Sequence, residues 1–81
     1  MMSPSELLKM AGEAAETMES MGYTAVARLR DNTVTLSAWR VVGGQHLSHQ
    51  HVVDGSIGSS QVLAHACAAE FRGEHGLSAE T

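Results

Sequence analysis

The chain has 81 residues, of which nine are acidic and five are lysine or arginine, so its formal net charge is −4. A chain of this length forms one domain with a single modest core and has no room for a cofactor-binding fold. The negative balance argues against a generic polyanion binder, which would collect lysine and arginine to displace counterions from phosphates.

The first predicted element is a helix over about residues 4–21. Ser3 and Glu6 form a capping box around Pro4, whose missing N–H costs nothing at the first helical position. Gly22 then predicts a left-handed cap. An apolar stripe recurs at three- and four-residue spacing: Leu7, Met10, Ala11, Ala14, Ala15, Met18 and Met21. Glutamates occupy the rest, either as an ordinary solvated face or as a row that imitates phosphates toward a basic partner.

The next segment, Tyr23 to Val42, predicts a β-hairpin with a two-residue turn at Asp31-Asn32. In this register the pairs on one face are all apolar: Leu29 with Val34, Ala27 with Leu36, and Ala25 with Ala38. The other face then carries Thr24, Val26, Arg28, Arg30, Thr33, Thr35, Ser37 and Trp39. We predict that this second face looks outward.

Gly43-Gly44 predicts a second turn and a third strand from residue 45 or 46 to 53, which completes a sheet over about 23–53. With a two-residue loop, the side chains that reach the core face are Leu47, His49, His51 and Val53; a one-residue slip would put them outside. Ser59 or Ser60 then caps a second helix over about 60–72, closed by Gly73 and followed by a frayed tail at 74–81.

The predicted fold is therefore α+β, in the order α-β-β-β-α. It consists of a three-stranded antiparallel meander with two helices packed on one face, in a single domain over residues 1–81. The third strand would be an edge with unpaired backbone groups, which leaves room for a homodimer through that edge or through the second helix.

Two groups of residues could carry chemistry, and both have plainer interpretations. His49 and His51 lie two apart on a strand, like a metal-binding pair, but a zinc site needs further ligands. We interpret them as partly exposed edge-strand histidines that could make an interaction pH-sensitive. Cys67, the single cysteine, predicts a buried apolar position and a reducing, cytoplasmic compartment. The sequence thus predicts no enzyme, no metal site and no cofactor.

The outward face of the hairpin is the stronger candidate, because arginine and tryptophan dominate interface hot spots and lack acid–base chemistry near neutral pH. We predict that Arg28, Arg30 and Trp39 anchor a protein partner. Arg40 and Val41 lie at the edge of this surface, with His46 beside them. The alternative is that Trp39 packs against a helix in a different register and that the arginines only make the strand soluble.

The element order is that of the double-stranded RNA-binding domain. The stretch Gly58-Ser59-Ser60-Gln61, continuing through Ala64, Ala66, Ala68 and Ala69, resembles that family's Gly/Ser entry into an alanine-rich second helix. The family places lysines at the start of that helix to grip phosphates, where this chain has Ser60 and Gln61. The resemblance implies a nucleic-acid-binding module or, without the lysines, a dimerisation unit.

The overall build of the chain, which is acidic, single-domain and free of a cofactor, with an open sheet face, is similar to that of anti-CRISPR proteins from phages and prophages. This resemblance implies an inhibitor that binds a Cas subunit of a type I surveillance complex in the host bacterial cytoplasm and prevents target DNA recognition. Four arginines against one lysine also suggest a GC-rich bacterial or phage genome. We expect no signal peptide and no membrane span, because the opening residues have neither a basic region nor a long apolar run.

Overall fold

A computed structural model describes residues 2–77 of the chain. Its elements are helix α1 (Pro4–Ser20), strands β1 (Thr24–Arg30), β2 (Thr33–Val42) and β3 (Gln45–Val53), and helix α2 (Ser60–His75). The three strands form one antiparallel sheet in the order β1-β2-β3. The predicted α+β fold and its α-β-β-β-α order are therefore confirmed. No helix within residues 2–77 is both long and apolar enough to cross a membrane.

Helix α1 is fixed at both ends by local hydrogen bonds. The Ser3 hydroxyl accepts from the Glu6 N–H at 3.3 Å, and the Glu6 carboxylate accepts from the Ser3 N–H at 3.3 Å, which is the predicted capping box. At the other end, Gly22 has a φ of +97°, and the Tyr23 N–H donates to the Met18 carbonyl at 3.0 Å. This Schellman motif turns the chain directly into β1.

Both hairpin turns have the geometry that sets the register. Asp31 and Asn32 have φ values of 51° and 63°, and Gly43 and Gly44 have φ values of 57° and 80°. Positive φ at both central residues is the mark of a type I′ turn, whose twist matches that of the strands it joins. The predicted register of the first hairpin, with Leu36 opposite Ala27, is confirmed. The second hairpin, whose register the sequence left open, has the one that a two-residue loop gives, with Leu36 opposite His51.

The core lies between the sheet and the two helices. Helix α1 packs on β1 and β2, whereas α2 packs mainly against α1 and, among the strands, mainly on β3. The fully buried side chains of α2 include Ala64, Cys67 and Ala68, whose small size lets the helix lie close to the sheet, and the larger Phe71. One core-face residue differs from expectation: Leu29 is 41% exposed, because it lies on an edge strand next to the end of the hairpin.

The C-terminal end of α2 corrects two predictions. The helix does not end at Arg72 with Gly73 as its cap, but continues through Gly73 to His75 and is capped by Gly76 at a φ of +66°. Leu77, which was expected in the frayed tail, donates its N–H to the Arg72 carbonyl at 2.8 Å and packs against the core. Glycine signals a helix end only where the backbone becomes left-handed, and Gly73 keeps helical geometry. The rest of the predicted tail, residues 78–81, lies outside the described residues.

Tyr23 generates the first prediction. Its ring meets Phe71 edge-on with 5.0 Å between the ring centroids, and its hydroxyl is the one buried side-chain polar atom within residues 2–77 that has no hydrogen-bond partner. We expect Tyr23→Phe to raise the free energy of unfolding by about 1 kcal/mol, since an unpaired buried hydroxyl is destabilising. Urea denaturation measures this change. Tyr23→Leu, which removes the hydroxyl and the ring together, should instead lower stability, and a loss of stability in Tyr23→Phe would contradict the prediction.

Asn32 generates the second prediction. A left-handed backbone is costly for residues other than glycine and asparagine, because Cβ approaches the following carbonyl. We expect Asn32→Ala to lower the free energy of unfolding by about 1 kcal/mol, whereas Asn32→Gly should keep or raise it. Urea denaturation of the two variants is the measurement. Equal stabilities for alanine and glycine at this position would show that the turn does not constrain the hairpin.

Candidate protein-binding surface

One face of the sheet is not covered by either helix. We call this surface the open face and define it by the outward-pointing side chains of the three strands. They are Thr24, Val26, Arg28 and Arg30 of β1, Thr33, Thr35, Ser37, Trp39 and Val41 of β2, and His46, Ser48, Gln50 and Val52 of β3. The open face includes arginines, valines and a tryptophan, and none of its members is acidic. An uncovered sheet face of this composition is suited to contact another molecule.

Trp39 lies on the central strand of the open face, opposite Thr24 on one side and Ser48 on the other. Trp39 is 39% exposed, so neither helix covers it. The alternative interpretation, in which a shifted register packs Trp39 under a helix, is therefore wrong.

Three hollows border Trp39, and two of them together contain all six residues that the sequence singles out. The third is lined by Ser37, Trp39, Ser48, His49, Gln50 and Glu74. The Arg28 hollow, of about 270 Å³, is lined by Arg28, Arg30, Thr35, Ser37, Trp39 and Gln50. The Arg40 hollow, of about 400 Å³, is lined by Gly22, Thr24, Trp39, Arg40, Val41 and His46. Trp39 forms a wall of both, so a partner that packs on its ring reaches the two hollows together.

Arg40 reaches this surface from the helix-facing side of the sheet. Its guanidinium lies over the ring of Tyr23, with 5.1 Å from Cζ to the ring centroid, in a cation–π arrangement. The side chain is half-buried, and the Arg40 hollow opens beside it. Arg40 therefore borders the open face, but its guanidinium, rather than its aliphatic stem, lies on Tyr23.

The histidines of β3 are partly exposed on an edge strand, as the sequence predicts. The structure adds that His49 and His51 both point toward α2 and contact its carboxylates. His49 donates through Nε2 to Glu70 at 2.9 Å and through Nδ1 to Glu74 at 3.1 Å, while Nδ1 of His51 donates to the same Glu70 oxygen at 2.9 Å. One turn of α2 therefore holds β3 through its carboxylates.

His75 adds a fourth contact between α2 and β3, because its Nε2 donates to the Ser48 carbonyl at 2.8 Å. Its ring also lies 4.9 Å from that of Phe71, between centroids. We call the group His49, His51, Glu70, Glu74 and His75 the His–Glu cluster. An imidazolium with protons on both nitrogens satisfies the two carboxylates that contact His49. Within residues 2–77 no group of histidine, cysteine and acidic side chains is arranged to hold a metal ion.

Two groups of the His–Glu cluster, His49 and Glu70, have pKa values that differ from their usual ones. Partial burial lowers the pKa of His49. The hydrogen bonds to Glu70 and Glu74 and the negative charges of these residues together raise it by more, so the pKa lies above 6.5. For Glu70, burial raises the pKa, whereas the hydrogen bonds from His51 and His49 lower it more, so the pKa lies below 4.5. Elsewhere, burial raises the pKa of the Cys67 thiol to about 11, which keeps it protonated at neutral pH.

Sequence reasoning missed Glu70, Glu74 and His75. Ending the helix at Arg72 removed two of them from the fold, although Glu70 and Glu74 stand four apart and so lie on one helix face. The usable signal was that each pair lies on one face of its element: His49 and His51 on one face of a strand, and Glu70 and Glu74 on one face of a helix. The contact itself depends on where α2 docks on the sheet, which neither spacing specifies.

The His–Glu cluster predicts that stability changes with pH. A raised His49 pKa contributes stability that is complete below pH 6.5 and is lost as pH rises through the folded pKa. A lowered Glu70 pKa contributes stability that is present above pH 4.5 and is lost as pH falls through the folded pKa. We therefore expect the free energy of unfolding to be highest between about pH 4.5 and pH 6.5 and to fall as pH rises above 6.5 through the folded pKa of His49.

Urea denaturation of His49→Gln across this range tests the assignment. The variant should have a smaller decline in stability with rising pH than the parent chain. His65→Gln is the matched control, because His65 is exposed on α2 and lies outside the His–Glu cluster. An unchanged pH profile in His49→Gln would mean that the cluster does not cause the dependence.

Comparison of this chain with protein-family models, with curated proteins and with solved structures gave no significant match. No site residue is therefore transferred from a relative. The candidate surface rests on its own features, which are an uncovered sheet face, an exposed tryptophan and two hollows bordered by arginines.

Proposed function

We propose that this protein is a non-enzymatic inhibitor from a phage or mobile element that binds a bacterial protein complex through its open face. The observation that carries the proposal is Trp39, which is 39% exposed in the middle of a helix-free sheet face, between two hollows that include three arginines. Tryptophan and arginine are the residue types most enriched in interface hot spots.

The distribution of apolar area supports a binding role for this face. Val26, Trp39, Val41 and Val52 are each at least 38% exposed, and all four belong to the open face. Water contact with this much apolar area is unfavourable, and a partner that covers it gains the corresponding hydrophobic stabilisation. Because the helices leave the entire face uncovered, the partner needs no rearrangement of the fold to reach it.

The partner class comes from the overall build of the chain. A short, acidic domain with an open sheet face is similar to anti-CRISPR proteins, so we propose a Cas subunit of a type I surveillance complex as the target and loss of target DNA recognition as the effect. The double-stranded RNA-binding domain shares the element order. Its phosphate grip has no counterpart here, because Ser60 and Gln61 begin α2 and the exposed glutamates of α1 would repel a phosphate backbone.

The test is a target-DNA binding assay with a purified type I surveillance complex, with and without this protein. We expect the parent chain to reduce DNA binding and Trp39→Ala to require at least about 30-fold more protein for the same effect, since hot-spot residues contribute about 2 kcal/mol or more. Val62→Ala is the matched control: Val62 is 56% exposed on α2, on the other side of the sheet, and its truncation should leave inhibition unchanged.

Three results would contradict the proposal. Inhibition that persists in Trp39→Ala would remove the open face from the interface. A parent chain that neither binds the complex nor affects DNA recognition would remove the target class. A salt-sensitive gel shift with duplex RNA would favour the nucleic-acid module instead, because phosphate contacts weaken steeply as salt rises.

A further inference from the structure

The Arg28 hollow is lined entirely by side chains that can donate hydrogen bonds. The donors are two guanidinium groups, two hydroxyls, an indole N–H and a side-chain amide. They belong to Arg28, Arg30, Thr35, Ser37, Trp39 and Gln50. We infer that this hollow is a carboxylate-binding site, so that the partner presents an acidic side chain to it. This inference rests on the proposed function, because it names the chemistry that the partner offers to the open face.

The donors in the hollow are not used within the fold. In the part of the chain that the structure describes, none of the six side chains makes a hydrogen bond to a side chain or backbone group, and neither arginine forms an ion pair. Ser37 is only 6% exposed and lies deepest of the six by this measure. A concave group of unused donors is favourable for an anionic acceptor, which can accept several of them at once.

Neither arginine of the hollow is neutralised by an ion pair within residues 2–77. The open face has no acidic member, and the exposed glutamates of α1 lie in the helical layer behind the sheet. Glu74 of α2 lines a neighbouring hollow with Ser37, Trp39 and Gln50, but its carboxylate is paired with His49 and His75. Asp31 follows Arg30 directly in the turn but forms no ion pair with it among residues 2–77. A protein with a net charge of −4 thus presents a positive patch at one end of its open face.

A carboxylate fits this patch better than a nucleic acid does. Arg28 and Arg30 stand two apart on β1, so their guanidinium groups emerge from the same face, and each can bind a carboxylate in a bidentate manner. A nucleic acid gains affinity from many phosphate contacts along its length, and the negative charge of the chain opposes such an approach. A protein partner needs only one acidic side chain at the hollow, with apolar neighbours that pack on Trp39.

The single tryptophan of the chain makes the site directly observable. The probe is a capped peptide of alternating glutamate and alanine, and its control is the same peptide with glutamine in place of glutamate. We expect the glutamate peptide to produce a saturable change in Trp39 fluorescence and in its indole N–H resonance, and the glutamine peptide to produce none.

Charge-removing variants locate the binding. Arg28→Gln combined with Arg30→Gln should weaken binding of the glutamate peptide at least about tenfold, since charge-assisted hydrogen bonds are the strongest of those lost. Lys9→Gln combined with Arg72→Gln removes the same number of charges from the helices and should change the affinity less than about twofold. Comparing the two double variants therefore distinguishes binding at a specific site from general electrostatic attraction.

The inference is overturned if the glutamate peptide has no effect, if the glutamine peptide acts equally, or if both double variants weaken binding alike. A single-stranded oligothymidylate that binds more tightly than the glutamate peptide, through the same two arginines, would assign the hollow to phosphate and would also overturn it. Arginine-dependent binding of the glutamate peptide alone supports the carboxylate site.

The assay with the surveillance complex separates this inference from the proposed function. If Trp39→Ala loses inhibition while Arg28→Gln with Arg30→Gln keeps it, the open face binds the partner but the carboxylate site is wrong. If Trp39→Ala keeps inhibition, the proposed function fails whatever the peptides show.

Discussion

The pairing of β1 with β2 is the constraint on which the rest of this structure depends. Side chains alternate across a strand, so a slip of one residue would send Leu36 and Ala38 into water and turn Trp39 under the helices. The type I′ turn at Asp31-Asn32 and the apolar pairs on the core face specify the same register. Because two independent features specify one register, one face of the sheet is buried in the core and the other stays exposed.

The second helix depends on that register as well. Leu36 and Ala38 of β2 pair with His51 and His49 of β3, which places both imidazoles on the side where α2 packs. Small residues of α2 allow a close approach in its middle, while the carboxylates of Glu70 and Glu74 meet the histidines near its C-terminal end. The His–Glu cluster thus docks the end of a helix onto an edge strand, where few apolar side chains are present to do so.

This division of the sheet gives the molecule two electrically different sides. Among residues 2–77, all acidic side chains except Asp31 and Asp54 lie on the helices, where they are solvated or paired with histidine, whereas Arg28, Arg30 and Trp39 lie on the open face. A small acidic domain can in this way remain repelled by nucleic acid and still present a positive, partly apolar patch to a protein. The proposed inhibitor function and the proposed carboxylate site both follow from this separation of charge.

The sequence by itself determined the element order, both turns, the register of the first hairpin and the outward direction of Trp39, since each depends on local backbone preferences and on alternation along a strand. It left the register of β3 open between a two-residue loop and a one-residue slip. Only the tertiary structure decided where α2 ends and what His49 contacts. Gly73 is the residue type that usually caps a helix, but its backbone stays helical. Glu70 and His49 are in contact although they are 21 residues apart in the chain. Such contacts depend on how a helix docks on a sheet, which local sequence patterns do not specify.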